Sequence, residues 1–487
     1  MEPTRRDFLL GTTAAAAVGV SATAQTSKTA YATQPAKRPN IILYLADQMR
    51  WDFLQHNRLN PTPLTPNLDR MAQRGCNFTY AITNQPLCNP ARSVLMTSRY
   101  ATETGCWHNG IPLNNQKGKD LPTFAQQLSD AGYTTNLFGK WHLGHDARVG
   151  GHDGKVVLED RGGFNDVWEG SNLLEFTTHP YEGTLWDRDG NEIKYKDQYR
   201  VDFITDRVVN HIKQKHDKPF FTFVSQLEPH HQNDMGQPIA PKGYKEKFRD
   251  RFVSPDLRAL PGNWQNDLPD YYGCIKSIDE SVGRIHQALE EQGIADNTVF
   301  IFMSDHGCHF KTRNGEYKRS PHNSSIRIPL IISGPGFDNS MSLDQLVGLI
   351  DVPPTILDIA GLTPPASMKG HSLVPLTRDE RARASWENVQ FVQISEAMTG
   401  RAVRTPEWTY VIEDRSADVK KDQGSMRYTE TMLYNQFADP AEQTNLLGNN
   451  DSIEATKMLR ALMLRKMEEA GEPRPEIVPY NPAFFMW

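Results

Sequence analysis

Asn40-Ile41-Ile42-Leu43-Tyr44-Leu45-Ala46-Asp47 is a nearly continuous apolar run that ends on a carboxylate. A strand with one wet face alternates apolar and polar residues. A run that is apolar throughout fits a strand covered on both faces, as in parallel sheets. The same shape recurs along the chain. Residues 133–138 lead into Gly139-Lys140-Trp141-His142-Leu143-Gly144, residues 220–224 into Glu228-Pro229-His230-His231, and residues 298–303 into Ser304-Asp305-His306-Gly307. A short strand is expected near Phe78 and another over 328–332. Helical patterns lie between, with Thr65-Pro66 capping one that stops at Gly75, and others over 122–131, 270–292 and 352–360. This alternation predicts an α/β fold, a large mixed, mostly parallel sheet sandwiched by helices. Ligands bind such sheets beyond the carboxyl ends of the strands. Asp47, Lys140, His230 and Asp305 each follow a strand closely, so the topology gathers them at one edge.

After about residue 378 the texture changes. Residues 388–394, 402–403 and 408–412 read as short antiparallel strands, 433–435 as a further candidate, and 451–470 as a charged amphipathic helix. The expected organisation is a large domain over 39–378 and a smaller C-terminal α+β domain over 379–487, an antiparallel sheet plus a helix. With 487 residues and 38% hydrophobic content the chain can bury a substantial core. A net charge of −6 offers no general attraction to nucleic acid or anionic membranes, and no nucleic-acid module or internal repeat is found.

The N-terminus reads as an export signal. Thr4-Arg5-Arg6-Asp7-Phe8-Leu9-Leu10 resembles a twin-arginine motif, an Ala-rich apolar run follows to Val20, and Ala22-Thr23-Ala24 offers a cleavage site. The run is too short for a stable membrane span. Residues 1–24 are thus expected to be a twin-arginine-type signal peptide and 25–38 a flexible leader. The mature protein is expected in the periplasm or outside the cell. That export machinery carries folded protein, so chemistry on the chain can be completed beforehand. The five cysteines are Cys76, Cys88, Cys106, Cys274 and Cys308, and their spacing leaves pairing open.

Leu87-Cys88-Asn89-Pro90-Ala91-Arg92 reads as a loop turning into a helix. Asn89 suits the N-cap and Pro90 the first helical position. That puts Cys88 just outside a helix start, where free N–H groups and the dipole favour an anion. Arg92, in the first turn, can lean over the same spot. A buried structural thiol is the alternative reading of Cys88.

Cys-x-Pro-x-Arg resembles the modification signature of the type I sulfatases, members of the alkaline-phosphatase-like superfamily. Family-like segments recur from about Pro39 to Leu446, including residues 40–47, 139–144 and 304–307, Ser325-Ile326-Arg327-Ile328-Pro329-Leu330, Arg404-Thr405-Pro406 and Asn445-Leu446. The resemblance implies that a separate maturation enzyme oxidises Cys88 to formylglycine, whose hydrate is the nucleophile. It makes 39–378 the catalytic domain and implies one divalent cation. Asp47, Gln48, Asp305 and His306 are the expected ligands, and their oxygen-rich set suits Ca²⁺. Many members have Asp where this chain has Gln48, which removes one negative charge but no oxygen.

Lys140 and His142 in the 139–144 motif, His230 after Pro229, and Lys318 in Lys318-Arg319-Ser320-Pro321-His322 form the expected sulfate pocket with Arg92. Substrate binding is assigned to Lys140, His230, Lys318 and His322. Positive groups there would receive the charge that develops as S–O cleaves. The resemblance gives Cys88, Arg92, His142, Lys140, His230 and Lys318 catalytic roles, with Asp305 assisting attack, His230 and Lys318 serving the departing alcohol, and His142 taking the proton of the second hydroxyl. His108, His231, His309, Arg313 and Arg319 are further candidates for the substrate-facing wall. Ala91 and Ser98 depart from the usual signature but leave its Cys, Pro and Arg intact. The expected substrate is a sulfated glycan or oligosaccharide. The rivals are a phosphate or phosphonate monoester hydrolase of the same superfamily and a non-catalytic glycan-binding relative.

Overall fold

The first apolar run forms strand β1 (Asn40–Asp47), and every one of its residues is buried. A computed structural model describes residues 38–114, 121–145 and 154–481. The expected signal peptide, and all of the leader except Arg38, lie outside the described residues. The other strands of the large sheet are β2 (Cys76–Ile82), β3 (Thr134–Lys140), β4 (Val167–Ser171), β5 (Thr178–His179), β6 (Glu182–Trp186), β7 (Glu192–Lys196), β8 (Phe220–Pro229), β9 (Thr298–Ser304), β10 (Arg327–Ile328), β11 (Leu330–Ser333) and β12 (Met341–Gly348). Their order is β10-β2-β11-β9-β1-β8-β3-β4-β6-β5, with β12 on β2 and β7 on β6. The centre, β9-β1-β8-β3-β4, is parallel throughout, and antiparallel strands flank it.

Strand periodicity splits β1 between two cores. Ile41, Leu43 and Leu45 join Val94 and Leu95 of the helix Cys88–Thr97, Leu128 of Phe124–Asp130 and Ile356 of Val352–Ile359. Ile42, Tyr44 and Ala46 join Leu68 of Pro66–Arg74, Ile204 of Arg200–Ile212 and Ile278 of Trp264–Glu291. Tyr44 keeps its hydroxyl satisfied by donating to Ser281 Oγ at 3.0 Å.

Several local expectations are corrected. Thr65 makes no side-chain cap; Asp279, fully buried on the long helix, accepts the Asn67 and Leu68 N–H groups at 2.8 and 2.9 Å. The expected strand at 328–332 is broken at Pro329, which has no N–H for the ladder. The long helix starts at Trp264 and contains Pro269, and the Gln265 carbonyl that Pro269 cannot serve accepts Arg251 Nη2 at 2.8 Å. The β4–β7 arm, β12 and the helix Arg200–Ile212 are elements that the apolar patterns above do not mark.

The second sheet is β13 (Gln390–Ile394), β14 (Thr399–Arg404), β15 (Trp408–Asp414), β16 (Arg427–Asn435) and β17 (Glu476–Val478). It is antiparallel except for the β16–β17 pair. Helix Ile453–Glu469 covers one face, with Leu459, Met463 and Met467 on Phe391, Val403, Tyr410 and Leu433. Both sheets lie in one compact unit. Among the described residues no helix is long and apolar enough to cross a membrane. All five cysteines are buried, and Cys76, Cys88, Cys274 and Cys308 are free thiols.

Candidate active site

Four neighbouring strands, β9, β1, β8 and β3, deliver their carboxyl ends to one place. Asp47 closes β1, Lys140 closes β3, His230 follows Pro229 at the end of β8, and Asp305 follows Ser304 at the end of β9. Backbone proximity is tight here: a Cβ on Gly139 (φ +107°) would stand 2.0 Å from the Ser225 carbonyl oxygen. Lys140 Nζ donates to Asp47 Oδ2 at 2.8 Å and to Glu175 Oε1 at 3.1 Å. Asp305 Oδ1 accepts the N–H groups of Gln48 and His306 at 3.1 and 3.0 Å.

Cys88 is not outside its helix but is the first residue of it, Cys88–Thr97. Asn89 does not act as the cap. Its Nδ2 donates to the carbonyls of Ile111 and His142 at 3.0 and 2.7 Å, tying the helix start to two loops. Arg92, one turn on, lies beneath the acids. Its Nη2 reaches Asp47 Oδ2 at 3.2 Å, its Nε is 3.4 Å from Asp305 Oδ2, and its Nη1 donates to Ser225 Oγ at 2.9 Å and the Lys140 carbonyl at 3.0 Å.

Lys318 is the hub of the opposite wall. Its Nζ donates to Cys88 Sγ at 2.9 Å, to His230 Nε2 at 2.9 Å and to Gln48 Oε1 at 3.1 Å. His230 Nδ1 lies 2.6 Å from the His231 carbonyl and so carries the proton, leaving Nε2 to accept. The same logic holds for His306. Its Nδ1 faces the Gly307 carbonyl at 3.0 Å, and its Nε2 lone pair points at Cys88 Sγ at 3.2 Å and Asp47 Oδ1 at 3.6 Å.

Cys88, His142, His230 and Lys318 line one cavity of about 180 Å³, with Glu175, Phe176, His231, Asn109 and Arg319 in its walls. His142, in a left-handed conformation (φ 62°), has a buried Nδ1 without a partner. His322, expected at the substrate, is not brought there. Its ring stands 3.2 Å from Ser320 Oγ and 3.3 Å from Tyr434 Oη of the second sheet, because the chain turns away after Arg319. His309 and Arg313 are also turned from this cavity, toward the Lys318 carbonyl and the carbonyls of Ala441 and Glu442. Glu175 was missed. It sits on a four-residue helix, Leu174–Thr177, too short to leave a periodic signal.

Asp47, Cys88, Asp305 and His306 place ligand atoms within 4.8 Å of one another. Asp305 Oδ2 is buried without a hydrogen-bond partner. A carboxylate oxygen that accepts no hydrogen bond, with the Arg92 guanidinium 3.4 Å away and a second carboxylate and an imidazole lone pair beside it, fits a divalent cation. Gln48, the fourth expected ligand, has its Oε1 on Lys318.

Burial opposes the Asp47 anion, but the charges of Lys140, Arg92 and Lys318 outweigh it and hold its carboxyl well below the usual range. Burial and then the Asp47 charge push Asp305 up to about 6. Burial and Asp47 push the Cys88 thiol up to about 11. Burial, reinforced by Lys140 at His142 and by Lys318 at His230 and His306, drives these imidazoles well below their ordinary value, so they are neutral at pH 7. The resulting centre has fixed cations, neutral imidazoles and paired acids around one side chain.

Such a centre, at the carboxyl edge of a covered parallel sheet, is that of an α/β enzyme for anionic esters. The chain belongs to the sulfatase family: residues 39–362 match the family model described as Sulfatase, and residues 315–469 match that of the N-sulphoglucosamine sulphohydrolase C-terminal region. It is a sulfatase, a hydrolase of sulfate esters. An ulvan-active sulfatase of Formosa agariphila is 28% identical over 90% of this chain and 83% of its own length. A solved structure described with the metabolism of multiple glycosaminoglycans by Bacteroides thetaiotaomicron matches with TM-score 0.75 at 24% identity, over 90% of this chain and 97% of that one. Another, in complex with its substrate D-glucosamine-2-N,6-O-disulfate, matches with TM-score 0.72 at 23% identity, over 90% and 99%. These two likenesses show the fold.

Proposed function

We propose that the chain is an exported sulfatase of sulfated saccharides that works through a formylglycine made from Cys88 and a bound Ca²⁺. One observation carries this reading: Cys88 Sγ stands 2.9 Å from Lys318 Nζ, 3.2 Å from His306 Nε2 and 3.6 Å from Asp47 Oδ1, at the base of a cavity. Formylglycine at position 88 would supply a geminal diol, one hydroxyl to attack sulfur and one to expel sulfate afterwards. Asp47, Asp305 and His306 would hold the cation, with Gln48 beside them, and it would add fixed positive charge facing the sulfate oxygens.

The remaining work falls to the chain's own side chains. Arg92 fixes both acids, and Lys140 balances Asp47, so the site does not need to reorganise when the anion arrives. Lys318 donates a proton or hydrogen bond to the departing alcohol oxygen, with neutral His230 accepting from the same ammonium. His142 Nδ1, unpartnered and in the same cavity, is available for the proton of the second hydroxyl. His231, Asn109 and Glu175 give walls that can bond the hydroxyls of a sugar ring. The relatives active on ulvan and on a disulfated glucosamine support a saccharide substrate. The twin-arginine motif supports export to the periplasm or beyond. The partners are the maturation enzyme, the export machinery and the saccharide.

The test is mass spectrometry of the peptide carrying position 88, from protein made beside its maturation enzyme, with parallel assays on sugar sulfates and phosphate monoesters. The expected result is an aldehyde at 88, higher kcat/KM on sulfate, and no turnover by Cys88→Ser. An unmodified thiol in active protein, or preference for phosphate, would overturn it.

A further inference from the structure

A second cavity, of about 500 Å³, lies between the large sheet and the second sheet and shares no lining residue with the one at Cys88. Its walls include Trp51, Leu59, Tyr80, Phe252, Arg327 and Arg404. The guanidinium of Arg327 is clamped between two rings, 3.3 Å from the Trp51 centroid and 4.0 Å from that of Tyr80. Its Nε and Nη2 both donate to the Thr79 carbonyl, at 3.0 and 2.6 Å. Arg404 is 1% exposed and donates to the neutral acceptors Asn323 Oδ1 and Gln436 Oε1 at 3.4 and 3.3 Å, and to the Thr405 carbonyl. Among the described residues neither arginine has a carboxylate within ion-pair distance.

The acids nearby are committed elsewhere. Asp52 and Asp256 are both held by Arg50, at 2.7 and 3.0 Å. Glu442 accepts the Asn323 N–H at 2.7 Å and Gln436 Nε2 at 2.8 Å. Burial lowers Arg327 to about 9, with Arg404 among the causes, and burial lowers Arg404 to about 10. Two buried cations with only neutral or distant partners are costly, and an anion in the cavity would remove that cost. The volume and the mostly apolar wall match sites that hold small organic molecules through a few placed polar groups.

We propose that this cavity binds a sugar-sized organic monoanion, its carboxylate or sulfate group held by Arg327 and Arg404 and its ring against Tyr80, Leu59 and Phe252. A free inorganic ion would use the arginines alone, whereas a saccharide would use the apolar wall too. The proposal does not depend on the chemistry at Cys88.

The experiment is calorimetric titration of the full chain with D-glucuronate, inorganic sulfate and neutral D-glucose. Wild type is compared with Arg327→Gln, Leu59→Trp, which fills the rim while keeping both charges, and Lys318→Ala in the other cavity. Glucuronate should bind more tightly than sulfate, and glucose should not bind measurably. Affinity should fall about tenfold or more in Arg327→Gln and in Leu59→Trp, the loss of one charge-assisted contact or of the space. It should be unchanged in Lys318→Ala. Loss in Lys318→Ala with retention in the other two, equal binding of sulfate and glucuronate, or no binding of any anion would overturn the proposal. Should Arg327→Gln not fold, Leu59→Trp alone decides.

Discussion

Lys318 and His230 share a proton-sized space, and their mutual dependence can be measured. Nζ and Nε2 are 2.9 Å apart, both side chains are buried, and His230 is kept neutral by burial and by that ammonium. Removing one preorganised donor to a developing oxyanion costs about 10²–10³ in kcat, or about 2.7–4 kcal/mol. Lys318→Ala should show a loss of that size on an alkyl sulfate, and His230→Ala a comparable one, because Lys318 Nζ then loses the acceptor that aims it. If the residues acted separately the double variant would lose about 10⁴–10⁶. Because they touch, a coupling of about 1–3 kcal/mol is expected, and the double variant should lose only about 10³–10⁴. The assay is steady-state kinetics of all four proteins on an alkyl sulfate and on an aryl sulfate. The aryl leaving group needs no proton, so both single losses should shrink on it. Losses that multiply, or that are equal on the two substrates, would refute the placing of these residues at the leaving oxygen.

Three further outcomes are expected. Asp305→Ala should bring bound divalent metal, read by elemental analysis, from about one ion per chain to near none, and abolish the rise in Tm on adding Ca²⁺; retained metal would contradict the ligand set. Asp279→Ala should lower unfolding stability by about 2–4 kcal/mol in urea with an unchanged m-value, since two buried N–H groups of the helix Pro66–Arg74 lose their acceptor, while Thr65→Ala should cost less. His211 is buried with both ring nitrogens unpartnered and is lowered by burial to about 4. As pH falls below about 6.5 the unfolded imidazole takes a proton that the folded one refuses until about 4, so stability drops by up to about 1.4 kcal/mol per pH unit. His211→Phe should flatten that slope in denaturation curves taken between pH 7 and 4.

What the chain discloses about itself follows physical range. The apolar runs ending at Asp47, Lys140 and Asp305 mark both the parallel centre and its chemical edge, because burial on two faces and a polar strand end are local properties. Asn89 reads as a cap from its neighbours, yet its amide is claimed by Ile111 and His142, which no nearby residue announces. Thr65 yields to Asp279, 214 positions away, for the same reason. Gln48 and His322 are legible as residues of the right kind, but what each touches is set by where the Lys318 loop crosses. Glu175 lies on a single turn and carries no pattern. The second sheet is readable in its hydrophobic strands, whereas β17, three residues docking on β16, depends on the fold being already in place.

Cys88 is 1% exposed, and Ala91 and Arg92 beside it are equally hidden. No catalyst of ordinary size can grip a side chain so enclosed, with Lys318, His306 and Asp47 packed against its sulfur. Any oxidation of that thiol by another protein therefore has to happen while the segment is still an extended strip, before the carboxyl edge closes over it.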